Sequence, residues 1–101
     1  MDEQYERIMR AEAAFDRAEA ARNDLERAYD EYLGAQEDFA LLEGYLNSEE
    51  RREDLLADEE GRLPDDLRRG VLSEDGIWNL LERRDALMDA LKSLAGSATD
   101  V

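Results

Sequence analysis

A repeating stripe of apolar side chains along the first 39 residues constrains the fold more than any other feature of the sequence. In a seven-residue repeat lettered a to g, eight of the ten core positions are apolar or aromatic. The a positions followed by the d positions are Ile8, Phe15, Arg22, Tyr29, Gln36, Ala11, Ala18, Leu25, Tyr32 and Phe39. The residues between them are mostly Glu, Asp, Arg and Ala. This spacing predicts an amphipathic helix with one buried face, running from about residue 3 to about residue 45. Gly34 interrupts the stripe at a cost of only about 1 kcal/mol.

A second, short helix is predicted from about residue 48 to about residue 58. Asn47 or Ser48 begins it, and Asn47 with Glu50 three residues later resembles a capping box. The pattern places Leu55 and Leu56 on the core side. Gly61 is a typical C-terminal stop.

Residues 61–72 show no periodicity, and Pro64 within them disfavours a helical Leu63. One helical turn is expected at residues 65–68. Ser73 is a good N-cap for a last helix that runs from about residue 74 to about residue 95. The apolar positions of that helix are spaced three or four apart, with one gap at Arg84: Ile77, Leu80, Leu81, Leu87, Met88, Leu91 and Leu94.

These elements predict an all-α fold, in which the long N-terminal helix packs against the short helix and the C-terminal helix as a helical hairpin or three-helix bundle. We expect a single domain at residues 1–95 and a flexible tail at residues 96–101. Because the first helix is about twice as long as the last, the stripe near Ile8 and Phe15 lacks a cover. A second copy of the chain would supply one. The sequence leaves a monomer and a homodimer equally open.

The composition excludes several kinds of site. The chain has no cysteine and no histidine, which removes disulfides, thiolate metal sites and Ser–His triads. No apolar run approaches the roughly 20 residues that cross a bilayer, and the acidic N-terminus is unlike a secretory signal. We expect a cytoplasmic, non-enzymatic protein that needs no cofactor and binds no membrane.

Negative charge is concentrated in the middle of the chain. The net charge is −15, and residues 30–66 hold fourteen acids and three bases. Such a field repels nucleic acid and attracts basic protein surfaces. The residues predicted to bind a basic partner are Glu37, Asp38, Glu49, Glu50, Glu53, Asp54, Asp58, Glu59, Glu60, Asp65 and Asp66.

Two functions fit this charge. Carboxylates along a helix can imitate duplex phosphates, which carry one charge per about 1.7 Å of axis. The chain would then inhibit a basic nucleic-acid-binding protein, as phage inhibitors of CRISPR effectors do. In the alternative, the carboxylates only solvate a structural or regulatory homodimer.

Two other motifs have ordinary structural interpretations. Trp78 is predicted to belong to the core, against Leu63, Leu67 and Leu72, with a hot spot for a partner as the alternative.

A calcium loop from Val71 to Glu82 would place Gly76 and Glu82 correctly. Its first position, however, is a valine without a side-chain oxygen, so no calcium site is expected.

Residues 63–77 read LPDDLRRGVLSEDGI. This segment resembles the signature of a bacterial domain-of-unknown-function family, number 4298, and we call it the signature segment. The resemblance extends over nearly all of the chain. It implies a small cytoplasmic helical protein of bacteria or their phages. The family has no assigned activity, so no catalytic residue follows from it. It also implies alanine at the position of Gly76.

Overall fold

The computed structural model describes residues 2–99 and confirms the all-α fold. Within this range there are four α-helices and no strand. The helices are α1 (Asp2–Gly34), α2 (Gln36–Leu46), α3 (Glu49–Glu59) and α4 (Gly76–Thr99), and a 3₁₀ turn at Gly70–Leu72 precedes α4. The chain divides into two compact units, Met1–Gln36 and Glu37–Val101.

The predicted first helix is two helices, separated by Ala35. Gly34 is the last residue of α1, and glycine loses more backbone entropy in a helix than any other residue. The N–H of Ala35 still donates to the carbonyls of Glu31 and Tyr32, at 3.1 and 3.0 Å. The interruption is therefore one residue long.

The predicted burial of the α1 face is wrong, since no residue of α1 is buried. Ile8 is 52% exposed and Phe15 61%. Helical periodicity identifies an apolar face correctly, but it does not show what covers that face.

The second unit has a small core formed by α2, α3, the 3₁₀ turn and α4. Ala57 of α3 and Ile77 of α4 are its buried residues. Around them lie half-buried apolar side chains, namely Phe39, Leu42, Leu46, Leu55, Leu63, Leu72, Leu81 and Met88. Because this core is small, hydrogen bonds and ion pairs between the elements help to hold them in place.

Both ends of α3 lie where the sequence predicts them, although the N-cap is Ser48 and not the Asn47 of the capping-box interpretation. Ser48 is the N-cap, and its hydroxyl oxygen accepts a hydrogen bond from the N–H of Arg51 at 3.1 Å. At the other end Gly61 has a φ of 69°. The N–H of Arg62 then reaches the carbonyl of Ala57 at 2.9 Å, which is the bond pattern of a Schellman motif.

The prediction for Leu56 is wrong, because this side chain is 51% exposed while Leu55 is half-buried. Consecutive residues on a helix point about 100° apart, so both leucines cannot face the core equally. The inward side of α3 also carries Arg51, Asp54 and Asp58, all half-buried. Polar side chains therefore lie on the inward side of α3, where the sequence predicted Leu56.

Between α3 and α4 the chain forms two tight turns. The helical turn expected at residues 65–68 is not formed. A hydrogen-bonded turn at residues 64–67 takes its place, in which the N–H of Leu67 donates to the carbonyl of Pro64 at 3.2 Å. The 3₁₀ turn was not predicted. Ser73 is not the N-cap of α4, as the sequence predicted, because it ends the 3₁₀ turn and the helix begins only at Gly76. Its hydroxyl oxygen nevertheless accepts a hydrogen bond from the N–H of Gly76 at 3.1 Å.

Helix α4 begins at Gly76, two residues later than predicted, and extends to Thr99. Residues 96–99 of the predicted tail are thus helical. Asp100 and Val101 lie outside the described residues.

Candidate protein-interaction surface

Helices α2 and α3 are joined by a hydrogen bond between side chains. The hydroxyl of Tyr45 donates to Oδ2 of Asp54 at 2.6 Å. Burial, with the bond to Asp54 as the next cause, raises the pKa of Tyr45 to about 12, because both disfavour the phenolate. Asp54 is therefore engaged within the fold.

Two arginines connect α3 with the loop before α4. Arg51 donates to the carbonyl oxygens of Val71 and Ser73, both at 3.2 Å. Arg69 donates to Oδ1 of Asp58 at 2.9 Å, and both side chains are about one third exposed. Asp58 is thus a second candidate residue that the fold uses internally.

The eleven predicted partner-binding residues separate into two groups. Asp54, Asp58 and Glu60 have internal partners, the last through a 2.7 Å ion pair with Arg62. The other eight are exposed and make no hydrogen bond or ion pair through their side chains with the rest of residues 2–99. We call these eight the acidic surface: Glu37, Asp38, Glu49, Glu50, Glu53, Glu59, Asp65 and Asp66.

On α3 the acidic surface surrounds the exposed Leu56. Glu49, Glu53 and Leu56 are spaced as i, i+4 and i+7, which places them along one outward face of the helix. This face therefore offers one apolar contact among carboxylates.

The predicted core position of Trp78 is wrong. Trp78 is 55% exposed, whereas its neighbour Ile77 is 3% exposed. The inward series of α4 is Ile77, Leu81, Arg84 and Met88, and a residue next to this series points away from it. Trp78 instead lines a shallow groove of about 320 Å³ with Glu43, Leu81, Glu82, Arg84 and Asp85. This exposure contradicts the core interpretation, and the hot spot for a partner stays a prediction.

Arg84 is a structural residue that the sequence pattern treated as a gap. Its guanidinium lies 5.3 Å from the ring centroid of Phe39 and pairs with Glu43 and Asp85. The hydrogen bond that Arg84 donates to Glu43, followed by the one that it donates to Asp85, raises the pKa of Arg84. The sequence contained one indication of this role, because Arg84 lies four residues before Met88 and three after Leu81, in step with the buried side of α4.

The apolar face of α1 is a second exposed surface, and it shares no residue with the acidic surface. Its large side chains are between 52% and 61% exposed. We call this face the α1 stripe: Ile8, Phe15, Leu25 and Tyr29, with Ala11 and Ala18 between them. Arg22 lies in the same seam and pairs with Glu26 at 3.0 Å.

Neither a metal site nor a membrane segment emerges from the described part of the chain. From Gly76 onward the frame proposed for a calcium loop is helical. No group of three or more carboxylates within residues 2–99 is placed to hold a metal ion. No helix in that range combines the length and the apolar character that crossing a membrane requires.

Comparison with known families confirms the resemblance seen in the sequence. The family described as Domain of unknown function (DUF4298) matches residues 8–93. The chain belongs to this family. No curated protein and no solved structure matches it.

In this DUF4298 chain the signature segment builds the two turns before α4 and the first residues of that helix. At Gly76 a Cβ atom would lie 2.4 Å from Oγ of Ser73 and 2.6 Å from the carbonyl oxygen of Gly70. Ser73 also donates a 2.7 Å hydrogen bond to that carbonyl. The alanine implied by the resemblance does not fit this arrangement, and glycine does.

Proposed function

We propose that the chain is a non-enzymatic, cytoplasmic protein-interaction module whose acidic surface binds a basic surface of a partner protein. The observation that supports this is the lack of internal neutralisation. Of the three bases within residues 30–66, Arg51 bonds to backbone carbonyls and Arg62 pairs with Glu60. Only Arg52 is left to oppose eight exposed carboxylates.

The acidic surface gives little to the stability of the fold. Exposed ion pairs contribute about 0–1 kcal/mol, and these eight carboxylates make none with the residues described. Their mutual repulsion opposes compaction. The same field accelerates encounter with a basic protein, by about 10- to 1,000-fold at low salt. The arrangement therefore favours association over folding.

The sharper form of the proposal is an inhibitor, of phage or bacterial origin, that imitates nucleic acid. On α3, Glu49 and Glu53 are separated by about 6 Å along the helix axis. Along the duplex axis, two phosphate steps of one DNA strand rise by about 6.8 Å. The axial spacing of these two carboxylates is therefore similar to that of phosphates along one strand.

Affinity capture from a lysate of the native host, followed by identification of the bound proteins, tests the proposal. The test variant carries Glu53, Asp65 and Asp66 changed to Lys, and a matched variant carries the same change at Glu6, Asp16 and Asp89. All six residues are exposed, and both variants raise the net charge equally. We expect a basic protein that wild type and the matched variant retain and that the test variant loses. Equal retention by all three would contradict the proposal.

Competition distinguishes the mimic from other acidic modules. If the captured protein binds nucleic acid, a short labelled duplex should be displaced from it by the wild-type chain. Simultaneous binding of duplex and chain would remove the mimicry and leave the interaction module standing.

A further inference from the structure

Helix α1 presents an apolar face whose large side chains are between 52% and 61% exposed. The helix has 33 residues and is about 50 Å long. All the side chains of the α1 stripe are exposed. Continuous exposed apolar surfaces of this kind mark interaction sites. The charges beside the α1 stripe indicate what kind of partner it binds.

The two edges of the stripe differ in charge and size. Glu12, Glu19 and Glu26 occur every seven residues, each four residues after an a position, and so line one edge. The opposite edge carries small residues at the same interval, namely Ala14, Ala21 and Ala28. In paired helices the residues at these edges determine the choice of partner. One edge therefore selects positive charge, and the other allows a close approach.

A second copy of the chain is a poor occupant. In a parallel pair, Arg22 at its a position would face Arg22 of the other copy inside the seam. In an antiparallel pair, the two glutamate edges would face each other. Each copy also carries a net charge of −15. Both arrangements therefore bring like charges together, which is destabilising.

We propose that the α1 stripe binds one amphipathic helix of a partner protein, with Lys or Arg along the edge that meets Glu12 and Glu19, since Glu26 already pairs with Arg22. The partner helix carries apolar residues at heptad spacing, which pack against Ile8, Phe15, Leu25 and Tyr29. This is recognition of one helix by an apolar surface, with charge setting the choice of partner. The inference goes beyond the proposed function because it uses α1 residues that the acidic surface does not include.

Synthetic helical peptides provide the probe. A Lys peptide has four heptads with Leu at a and d and Lys at both edges. A Glu peptide replaces those lysines by glutamate, and a scrambled Lys peptide keeps the composition without the heptads. Binding to the full chain is measured by fluorescence anisotropy. We expect the Lys peptide to bind at least about tenfold more tightly than either control, a difference of about 1.4 kcal/mol.

Variants of α1 then test the geometry. Changing Glu12 and Glu19 to Lys should transfer the preference from the Lys peptide to the Glu peptide. The same change at Glu6 and Asp16, which occupy the opposite face of the heptad, should leave the preference as it is. Phe15→Glu should abolish binding without loss of helix content by circular dichroism, since Phe15 is exposed.

Three results would overturn the inference. Equal binding of the Lys peptide and its scrambled form would show attraction by net charge alone. If the change at Glu12 and Glu19 and the change at Glu6 and Asp16 altered peptide binding equally, the glutamate edge would not determine which peptide binds. Sedimentation of the wild-type chain as a dimer that Phe15→Glu dissociates would make a second copy the occupant. None of these results affects the capture of a basic protein by the acidic surface, so the two proposals fail independently.

Discussion

The hydroxyl of Tyr45 donates a 2.6 Å hydrogen bond to Asp54 and so joins α2 to α3. Removal of this hydroxyl leaves a half-buried carboxylate without its donor. Tyr45→Phe should therefore lower the free energy of unfolding by about 1–3 kcal/mol, measured by urea denaturation. Tyr29→Phe is the matched control, because Tyr29 is 61% exposed, and it should change stability by less than about 0.5 kcal/mol. Equal effects of the two changes would show that the Tyr45 bond contributes nothing.

The same tyrosine predicts a loss of stability at alkaline pH. The pKa of Tyr45 is raised to about 12 in the folded chain, above the value of about 10 in an unfolded one. The resulting stabilisation is complete below about pH 10 and disappears as the pH rises through 12. The difference in unfolding free energy between wild type and Tyr45→Phe should be constant up to about pH 10 and then shrink. A difference that stays constant to pH 12 would contradict the raised pKa.

Gly76 and Gly44 should respond in opposite directions to alanine. Helix propensity favours alanine over glycine by about 1 kcal/mol. At Gly44 nothing lies within 4 Å of the new Cβ, so Gly44→Ala should stabilise the chain. At Gly76 the Cβ meets Ser73 and the carbonyl of Gly70, and overpacking of this kind costs about 1–3 kcal/mol. Thermal unfolding measures both, and a gain at each site would disprove the close contact.

Two adjacent arginines of α3 should differ in their effect on stability. Arg51 donates to two carbonyls of the segment before α4, whereas Arg52 is exposed and has no such bond. Arg51→Ala should lower the free energy of unfolding by about 1–3 kcal/mol, and Arg52→Ala by less than about 0.5 kcal/mol. Denaturant titrations of both variants check this. If Arg52→Ala lowered the free energy of unfolding more than Arg51→Ala, the hydrogen bonds of Arg51 would not be what connects α3 to this loop.

Ile77 and Trp78, which are adjacent on α4, should also differ in their effect on stability. Ile77→Ala empties a buried position and should cost about 2–4 kcal/mol. Trp78→Ala removes a larger but mostly exposed side chain and should cost less than about 1 kcal/mol. The fluorescence of Trp78 should also be emitted at the long wavelength typical of a solvated indole. A blue-shifted emission together with a large loss of stability would restore Trp78 to the core.

The parts of the fold that could be predicted from sequence are those set by local chemistry. Ser48 caps α3 because its hydroxyl reaches an N–H three residues away, and Gly61 ends that helix because glycine accepts a positive φ. The faces of the helices depend on distant residues. Leu56 and Trp78 each lie next to a buried residue, and apolar character alone does not decide which of two neighbours is buried.

The candidate site shows the same division. Charge density marks the acidic stretch in the sequence. It did not separate Asp54 and Asp58 from the rest, because their partners Tyr45 and Arg69 are nine and eleven residues away in sequence. Arg84 was missed for a related reason, since its place beside Phe39 and Glu43 arises only when α2 and α4 pack.

The most direct test of the proposed function is the dissociation constant of the captured partner, measured by calorimetry at about 0.15 M salt. Three exposed charges contribute roughly 0.5 kcal/mol each, so changing Glu53, Asp65 and Asp66 to Lys should weaken binding at least about tenfold. The matched variant at Glu6, Asp16 and Asp89 should bind within about twofold of wild type. Equal dissociation constants for all three chains would contradict a partner site on the acidic surface.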